Sequence, residues 1–249
     1  MTVLLTTIHD PKGMYLKIKN LEKTLNDALS NYEKSYANVT RSTHPKIKEI
    51  AKKNFNCVIT GEGTLGEHMI TLVRQAKGKK FHCCDFDRLI HWQMKYPEEL
   101  KKTTRKLEKS RGFVFICRTK RAFSTHPNTQ MDTESVMNMM ISKYIGMEVD
   151  MGSGTFGFDN SERKSFASIK GNIRDVRFLG HFLVRLKKYK IHISKIEVEG
   201  MEWETPDVHQ EKIKNIGYQK WLLEFQSHRE WRKRVDYISQ VAEIIYKKN

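Results

Sequence analysis

Apolar positions along the chain fall in short blocks, and the spacing within the blocks changes from one to the next. Val3 to Ile8 reads as an apolar strand. From Tyr15 to Tyr36, apolar Leu16, Leu21, Leu25, Ala28, Leu29 and Tyr32 recur close to a 3.6-residue period, which predicts a helix. Tyr36 to Thr43 is a weaker strand, and Pro45 opens a short helix over Lys46 to Asn54. Asn56 to Ile59 reads as strand and Gly61-Glu62-Gly63 as loop. Thr64 then caps a helix from Leu65 to Ala76, with Gly78 just beyond it. Phe81 to Cys84 is strand.

The second half repeats the alternation. Pro97 to Glu108 is helical, and the unbroken apolar run Phe113 to Cys117 is a strand buried on both faces. A polar loop, Arg118 to Asn128, leads into a helix over Thr129 to Tyr144. A glycine-punctuated stretch, Met151 to Phe158, and a short helix over Glu162 to Ile169 follow. Asp175 stands where an N-cap would be, before an amphipathic helix that ends near Lys187. Ile191 to Val198 alternates like a strand, and Trp221 to Lys247 is mostly helical. Strands alternating with helices predict an α/β fold with a mainly parallel sheet. No repeat and no Pro-, Gly- or Ser-rich linker divides the chain, so a single domain is expected over residues 1–249.

Composition narrows the function classes. Hydrophobic residues make up 39% and aromatics 10%, which excludes a disordered chain. No apolar run reaches the ~18 residues of a membrane-spanning helix. The opening residues lack a basic segment and read as strand, so a cytoplasmic protein is expected. With 45 Lys+Arg against 29 Asp+Glu, the net charge is +16. That balance asks for an anionic partner: phosphates, an acidic membrane surface or nucleic acid. The cations are scattered and carry no zinc-finger or RNP signature, so no specific nucleic acid is expected. Cys57, Cys83, Cys84 and Cys117 fall in or beside strands. Adjacent Cys83 and Cys84 point to opposite faces, a poor start for zinc, and neither a disulfide nor structural zinc is expected.

The densest chemistry lies at Phe81-His82-Cys83-Cys84-Asp85-Phe86-Asp87-Arg88. An apolar strand runs into two carboxylates spaced i and i+2. In extended backbone they share a face beyond the strand's carboxyl end, where open α/β sheets bind ligands. Their repulsion is relieved by a hard divalent cation, which keeps positions free for phosphate oxygens.

Asp85-Phe86-Asp87 resembles the DxD motif of nucleotide-sugar-dependent glycosyltransferases of the GT-A fold. The longer string His82 to Trp92, with Tyr96-Pro97-Glu98-Glu99-Leu100 behind it, resembles a little-characterised group of prokaryotic GT-A-like proteins. So do Thr7-Ile8-His9-Asp10-Pro11, Arg118 to Pro127, and Glu199 to Thr205. The resemblance implies a three-layer GT-A-like sandwich and a metal-dependent glycosyltransferase with a nucleotide-diphosphate sugar donor. It also implies a nucleotide-binding half at 1–92 and an acceptor half at 93–249. Thr7, His9 and Asp10 would then contact the nucleotide. Asp85 and Asp87 would hold Mn²⁺ or Mg²⁺ and the sugar nucleotide, with His209 or His192 as a third ligand. Arg88 would pair either with a phosphate or with Asp85, and Arg118 would meet a phosphate or an anionic acceptor. Inverting members place a catalytic base near a helix start, which points to Asp175, with Glu202 and Glu204 as rivals. Two other readings remain open from the residues themselves. One is a non-catalytic nucleotide or nucleic-acid binding module. The other is a different phosphate-handling enzyme, a nucleotidyltransferase or a phosphatase.

Overall fold

The computed structural model describes residues 1–247. Its first half builds four parallel strands, each followed by helix. These are β1 (Thr2–Ile8), α1 (Leu21–Leu29), β2 (Lys34–Thr40), α2 (Pro45–Asn54), β3 (Cys57–Gly61), α3 (Leu65–Gln75) and β4 (Lys80–Cys83). The helix expected over Tyr15 to Tyr36 is shorter. Asn20 takes a left-handed conformation (φ +58°) and separates a 3₁₀ turn, Met14–Lys17, from α1. The residues from Lys34 on join β2. Thr64 caps α3 as expected, through a reciprocal capping box with Glu67.

Two helices then follow β4 directly: α4 (Phe86–Lys95) and α5 (Pro97–Lys109). The remainder comprises β5 (Phe113–Arg118), α6 (Lys120–Ser124), α7 (Asn128–Ile145), β6 (Phe156–Asp159), α8 (Asn160–Ala167), α9 (Arg177–Lys188) and β7 (Ile193–Val198). Three C-terminal helices close the order: α10 (Gln210–Ile216), α11 (Tyr218–Leu222) and α12 (His228–Ile245). The short helix α6 interrupts what reads in the sequence as a loop, its start capped by the Thr119 side chain on Ala122 N at 3.1 Å.

Seven strands form one sheet in the order β3-β2-β1-β4-β6-β5-β7. Every pairing is parallel except those of β6, which runs antiparallel between β4 and β5. β6 carries a glycine at a close approach: a Cβ on Gly157 would lie 2.6 Å from Leu107 Cδ2, which would have to shift. Its Phe156 and Phe158 stack on Phe113 and Phe81, each at 5.3 Å between ring centres. Side chains alternate strictly across the sheet. Val3, Leu5, Cys83, Phe113 and Phe115 enter a core roofed by α3, α7, α8, α9 and α12. Leu4, Cys84, Val114 and Ile116 enter a second core under α1, α2, α4 and α5. The result is the three-layer α/β sandwich expected, with the two adjacent cysteines on opposite faces.

Because β1, β4, β5 and β7 are parallel, their carboxyl ends reach one edge of the sheet, and antiparallel β6 starts there. That edge gathers Thr7 to Asp10, Asp85 to Arg88, the turn before Phe156, Arg118, and the segment after Val198.

Candidate functional site

β4 ends at Cys83, and the backbone stays extended only through Asp85 (φ −63°, ψ 147°), which is the N-cap of α4. Asp87 therefore lies in the first helical turn and not in extended chain. The two acids are close enough to feel each other's charge because they bracket a helix start, a place that favours negative charge. Asp85 keeps about 30% of its side chain exposed. It accepts a hydrogen bond from Thr7 Oγ1 at 3.5 Å, which ties it to the end of β1. Asp87 accepts from the amide of Arg88 at 2.9 Å.

Arg88 folds back beside the acids, its Nε 4.0 Å from Asp85 Oδ2 and its Nη1 donating to Gly152 O at 3.3 Å. Gly154, at φ +66°, presses against the pair: a Cβ there would lie 3.0 Å from Arg88 Nη1 and 3.2 Å from Asp85 Oδ2. The glycine-rich turn thus lets backbone approach the acids closely. Burial raises the pKa of Asp85, partly offset by Arg88. Burial, then the charges of Glu204 and Asp85, push Asp87 up to about 7. Burial works against the charge of Arg88, but Glu204 and Asp85 outweigh it and hold the guanidinium protonated. Three carboxylates and one arginine therefore form a partly desolvated cluster short of positive charge.

Two cavities adjoin this cluster. One, of about 410 Å³, lies between the β1 loop and the segment after β7, and Asp10, Lys12, Tyr15, Asp87, Glu204 and Asp207 are among its walls. The other, of about 340 Å³, opens towards α7, α9 and α12, and its walls include Asp85, Arg88, Phe156, Trp203, Glu204 and Arg234. Glu204 and Thr205 border both.

The remaining sequence-predicted residues are placed as follows. His9 is exposed, and its Nδ1 lies 2.9 Å from Thr40 Oγ1. Asp10 lines the first cavity, but its carboxylate accepts from the amides of Met14 (2.8 Å) and Tyr15 (2.9 Å), so it holds the 3₁₀ turn. Arg118 borders neither of these two cavities. Its fully buried guanidinium donates two bonds to Asp150 at 2.7 Å and one to Glu134 at 2.6 Å. Glu202 is paired with Arg121 at 2.7 Å and borders neither cavity. Asp175 has φ +53° and precedes the actual N-cap, Val176. Its amide donates to Thr64 Oγ1 at 2.9 Å, which joins it to the start of α3 and sets it outside both cavities. His209 packs its ring on Trp221 at 5.4 Å, and burial lowers its pKa. His192 lies beside Gly112, just before β7 and so at the opposite end of the sheet from the acids.

A buried pair outside the predicted set, His91 and Asp207, adjoins the cluster. His91, on α4, is buried with Nδ1 2.6 Å from Asp207 Oδ2 and Nε2 3.3 Å from Glu202 Oε1. Burial opposes its protonation, yet Asp207 and the neighbouring glutamates carry its pKa upward. Its partner Asp207 lies 116 positions away, so no local pattern announces the pair.

No three His, Cys, Asp or Glu side chains among the described residues form a group able to hold a metal ion by themselves. Two part-exposed carboxylates beside a cavity are still a fitting donor set for Mg²⁺ or Mn²⁺, which take one or two carboxylates and complete their shell with water and phosphate oxygens. Burial, which disfavours leaving both acids charged, adds to that fit.

No protein-family model matches the chain, and no curated protein matches it in sequence. Solved structures do match. Glucosyl-3-phosphoglycerate synthase from Mycobacterium tuberculosis, in complex with Mn²⁺, uridine diphosphate and phosphoglyceric acid, aligns at a TM-score of 0.51 and 10% identity. The alignment covers 79% of this chain and 68% of that one. Another crystal structure of that synthase aligns at 0.51 and 11% identity, over 80% of this chain and 71% of that one. The fold is GT-A-like. At this identity the likeness concerns the GT-A-like scaffold alone: its mainly parallel sheet and its flanking helices.

Proposed function

We propose that this protein is a divalent-metal-dependent glycosyltransferase that takes a nucleotide-diphosphate sugar as donor. One observation carries the reading: Asp85 and Asp87 stand at the carboxyl end of β4, each facing one of two adjoining cavities. The GT-A-like fold supports it, since the synthase of that fold was solved with Mn²⁺ and uridine diphosphate.

In this reading the nucleoside diphosphate enters the first cavity and the acceptor enters the second. Asp85 and Asp87 are the residues that would hold Mn²⁺ or Mg²⁺, and the ion would neutralise the departing diphosphate. Thr7 and Arg88 fix the orientation of Asp85. The start of α4 lies beside the acids, and a helix N-terminus favours an anionic group such as a diphosphate. Of the three carboxylates considered as base, Glu204 borders both cavities, and we assign it the proton of the attacking acceptor hydroxyl. Arg118 then acts from behind, holding Asp150 and Glu134 in the wall next to the glycine-rich turn.

Titration calorimetry with UDP, GDP and their glucose and mannose conjugates, with and without Mn²⁺, tests the proposal. Metal-dependent binding is expected for one of them in the wild type. It should weaken by about 100-fold in Asp87→Asn, in line with loss of a metal contact, while circular dichroism stays unchanged. Equal affinity in the variant, or no metal-dependent binding to the wild type, overturns the reading.

A further inference from the structure

Away from both cavities, the outer face of α7 and α12 leaves large apolar side chains in water. Val136 and Met139 on α7 are 49% and 55% exposed, and Trp231 and Val235 on α12 are 37% and 52% exposed. Val136, Trp231, Val235 and Ile238 line one open groove between the helices. Packing does not explain them. The inner face of α12 already buries Gln240, Val241 and Ile245 against the domain. To one side of that row, Arg229 and Arg232 border a second depression, which shares Val235 and Ser239 with the groove, and Lys233 stands between it and the second cavity. The acids nearby are few. Asp236 is engaged by Gln240 at 2.7 Å, and Glu230 lies 3.9 Å from Lys233. Asp132 is the further acid at the groove.

An apolar row with a tryptophan, rimmed by arginines, is the chemistry of a bilayer interface. The indole and the aliphatic stems sit among the headgroups while the guanidinium groups meet lipid phosphate. No helix among the described residues is long and apolar enough to cross a membrane, so the contact lies on the surface. The net charge of +16 adds a long-range attraction to any anionic sheet. We propose that the α7–α12 face docks peripherally on an anionic bilayer, with Trp231 and Val235 inserting and Arg229 and Arg232 pairing with headgroups. The surface is separate from the acids, and the inference stands whether or not the proposed reaction does.

The test is co-sedimentation of the full chain with vesicles of phosphatidylcholine, alone or mixed with phosphatidylglycerol. Binding is expected to the mixed vesicles and to weaken with salt. Each cation removed should lower the partition coefficient roughly fivefold, so Arg229→Gln with Arg232→Gln should lose about 25-fold. Trp231→Ser with Val235→Ser should abolish binding while keeping the wild-type unfolding midpoint. Val136→Ser, on the other helix, repeats the apolar test should the double variant not fold. Three results overturn the proposal: equal binding to both kinds of vesicle, no binding to either, or variants that bind like wild type. So does a shift from monomer to dimer in light scattering without vesicle binding, which would make the occupant a second copy. Binding to duplex DNA that ignores the Trp231→Ser, Val235→Ser change, again without vesicle binding, would make it nucleic acid.

Discussion

Acid should destabilise this protein through His82 before most of its carboxylates are protonated. His82 is fully buried on β4. Its Nδ1 is 2.8 Å from the Tyr32 hydroxyl, and its Nε2 is 2.9 Å from Thr155 Oγ1. Thr155 spends its own proton on Cys83 O at 2.8 Å, so it accepts from His82, which must carry its hydrogen on Nε2. Nδ1 then accepts from Tyr32, and a second ring proton would have no acceptor. Burial accordingly pushes the pKa of His82 down to about 3. In the unfolded chain a histidine titrates near 6.5. Between the two values the unfolded state binds a proton that the native state refuses. The stability is therefore complete above about pH 6.5 and is lost as pH falls towards 3. At about 1.4 kcal/mol per unit, some 3 kcal/mol should be gone between about pH 7.5 and 4.5. His126 is also buried, its pKa pushed down to about 2 by burial and then by Arg118 and Arg88, and it should cost a similar amount. Urea titrations across this range, on wild type, His82→Gln and His126→Gln, give the measurement. Each variant starts less stable at neutral pH, but its stability should fall about 3 kcal/mol less on acidification. Carboxylate titration is common to all three proteins and cancels. Curves that fall in parallel would refute the argument.

Three further outcomes are expected. Asp150→Ala removes two of the three bonds of the buried Arg118 guanidinium, leaves it Glu134, and should cost about 3 kcal/mol in urea unfolding. Gly200→Ala places a Cβ 1.9 Å from Trp92 Cδ1, so α4 or its neighbour must move, and thermal unfolding should show a loss of about 1–3 kcal/mol. Glu204→Gln should lower sugar transfer, or donor hydrolysis where the acceptor is unknown, by about 10²–10⁴-fold while metal-dependent donor binding persists; transfer at the wild-type rate would return Glu204 to a structural part.

The elements that could be read from the chain are those whose own residues decide them. β5 is an unbroken apolar run, and α3 carries its capping box in Thr64 and Glu67. α4 was hidden because Asp85 and Asp87 look like loop acids, although Phe86, Leu89, Ile90 and Trp92 behind them have helical spacing. β6 was hidden because it has four residues and a central glycine, chosen by Leu107 from a distant helix. The same division runs through the site. Asp85 and Asp87 stand out locally, whereas the seat of Glu204 between two cavities depends on where the segment after β7 returns to the edge. Arg118 attracted attention as part of a basic cluster. Its partners Asp150 and Glu134 lie 32 and 16 positions away, and no local pattern announces them.

The reversed strand also imposes an order on biosynthesis. β4 has one neighbour, β1, within the chain made before it, and its other edge waits for β6. β5 touches the first four strands through β6 alone, so it has no seat in the sheet when it emerges. About seventy residues separate the end of β4 from the start of β6. At translation rates of about 5–20 residues per second, that leaves an apolar strand edge unpaired for roughly 4–15 s. A nascent chain in this interval presents Phe81 and Cys83 beside a row of unsatisfied backbone groups, a template for pairing with another chain. Folding yield should therefore depend on crowding and on holdase chaperones during synthesis more than on the stability of the finished sheet.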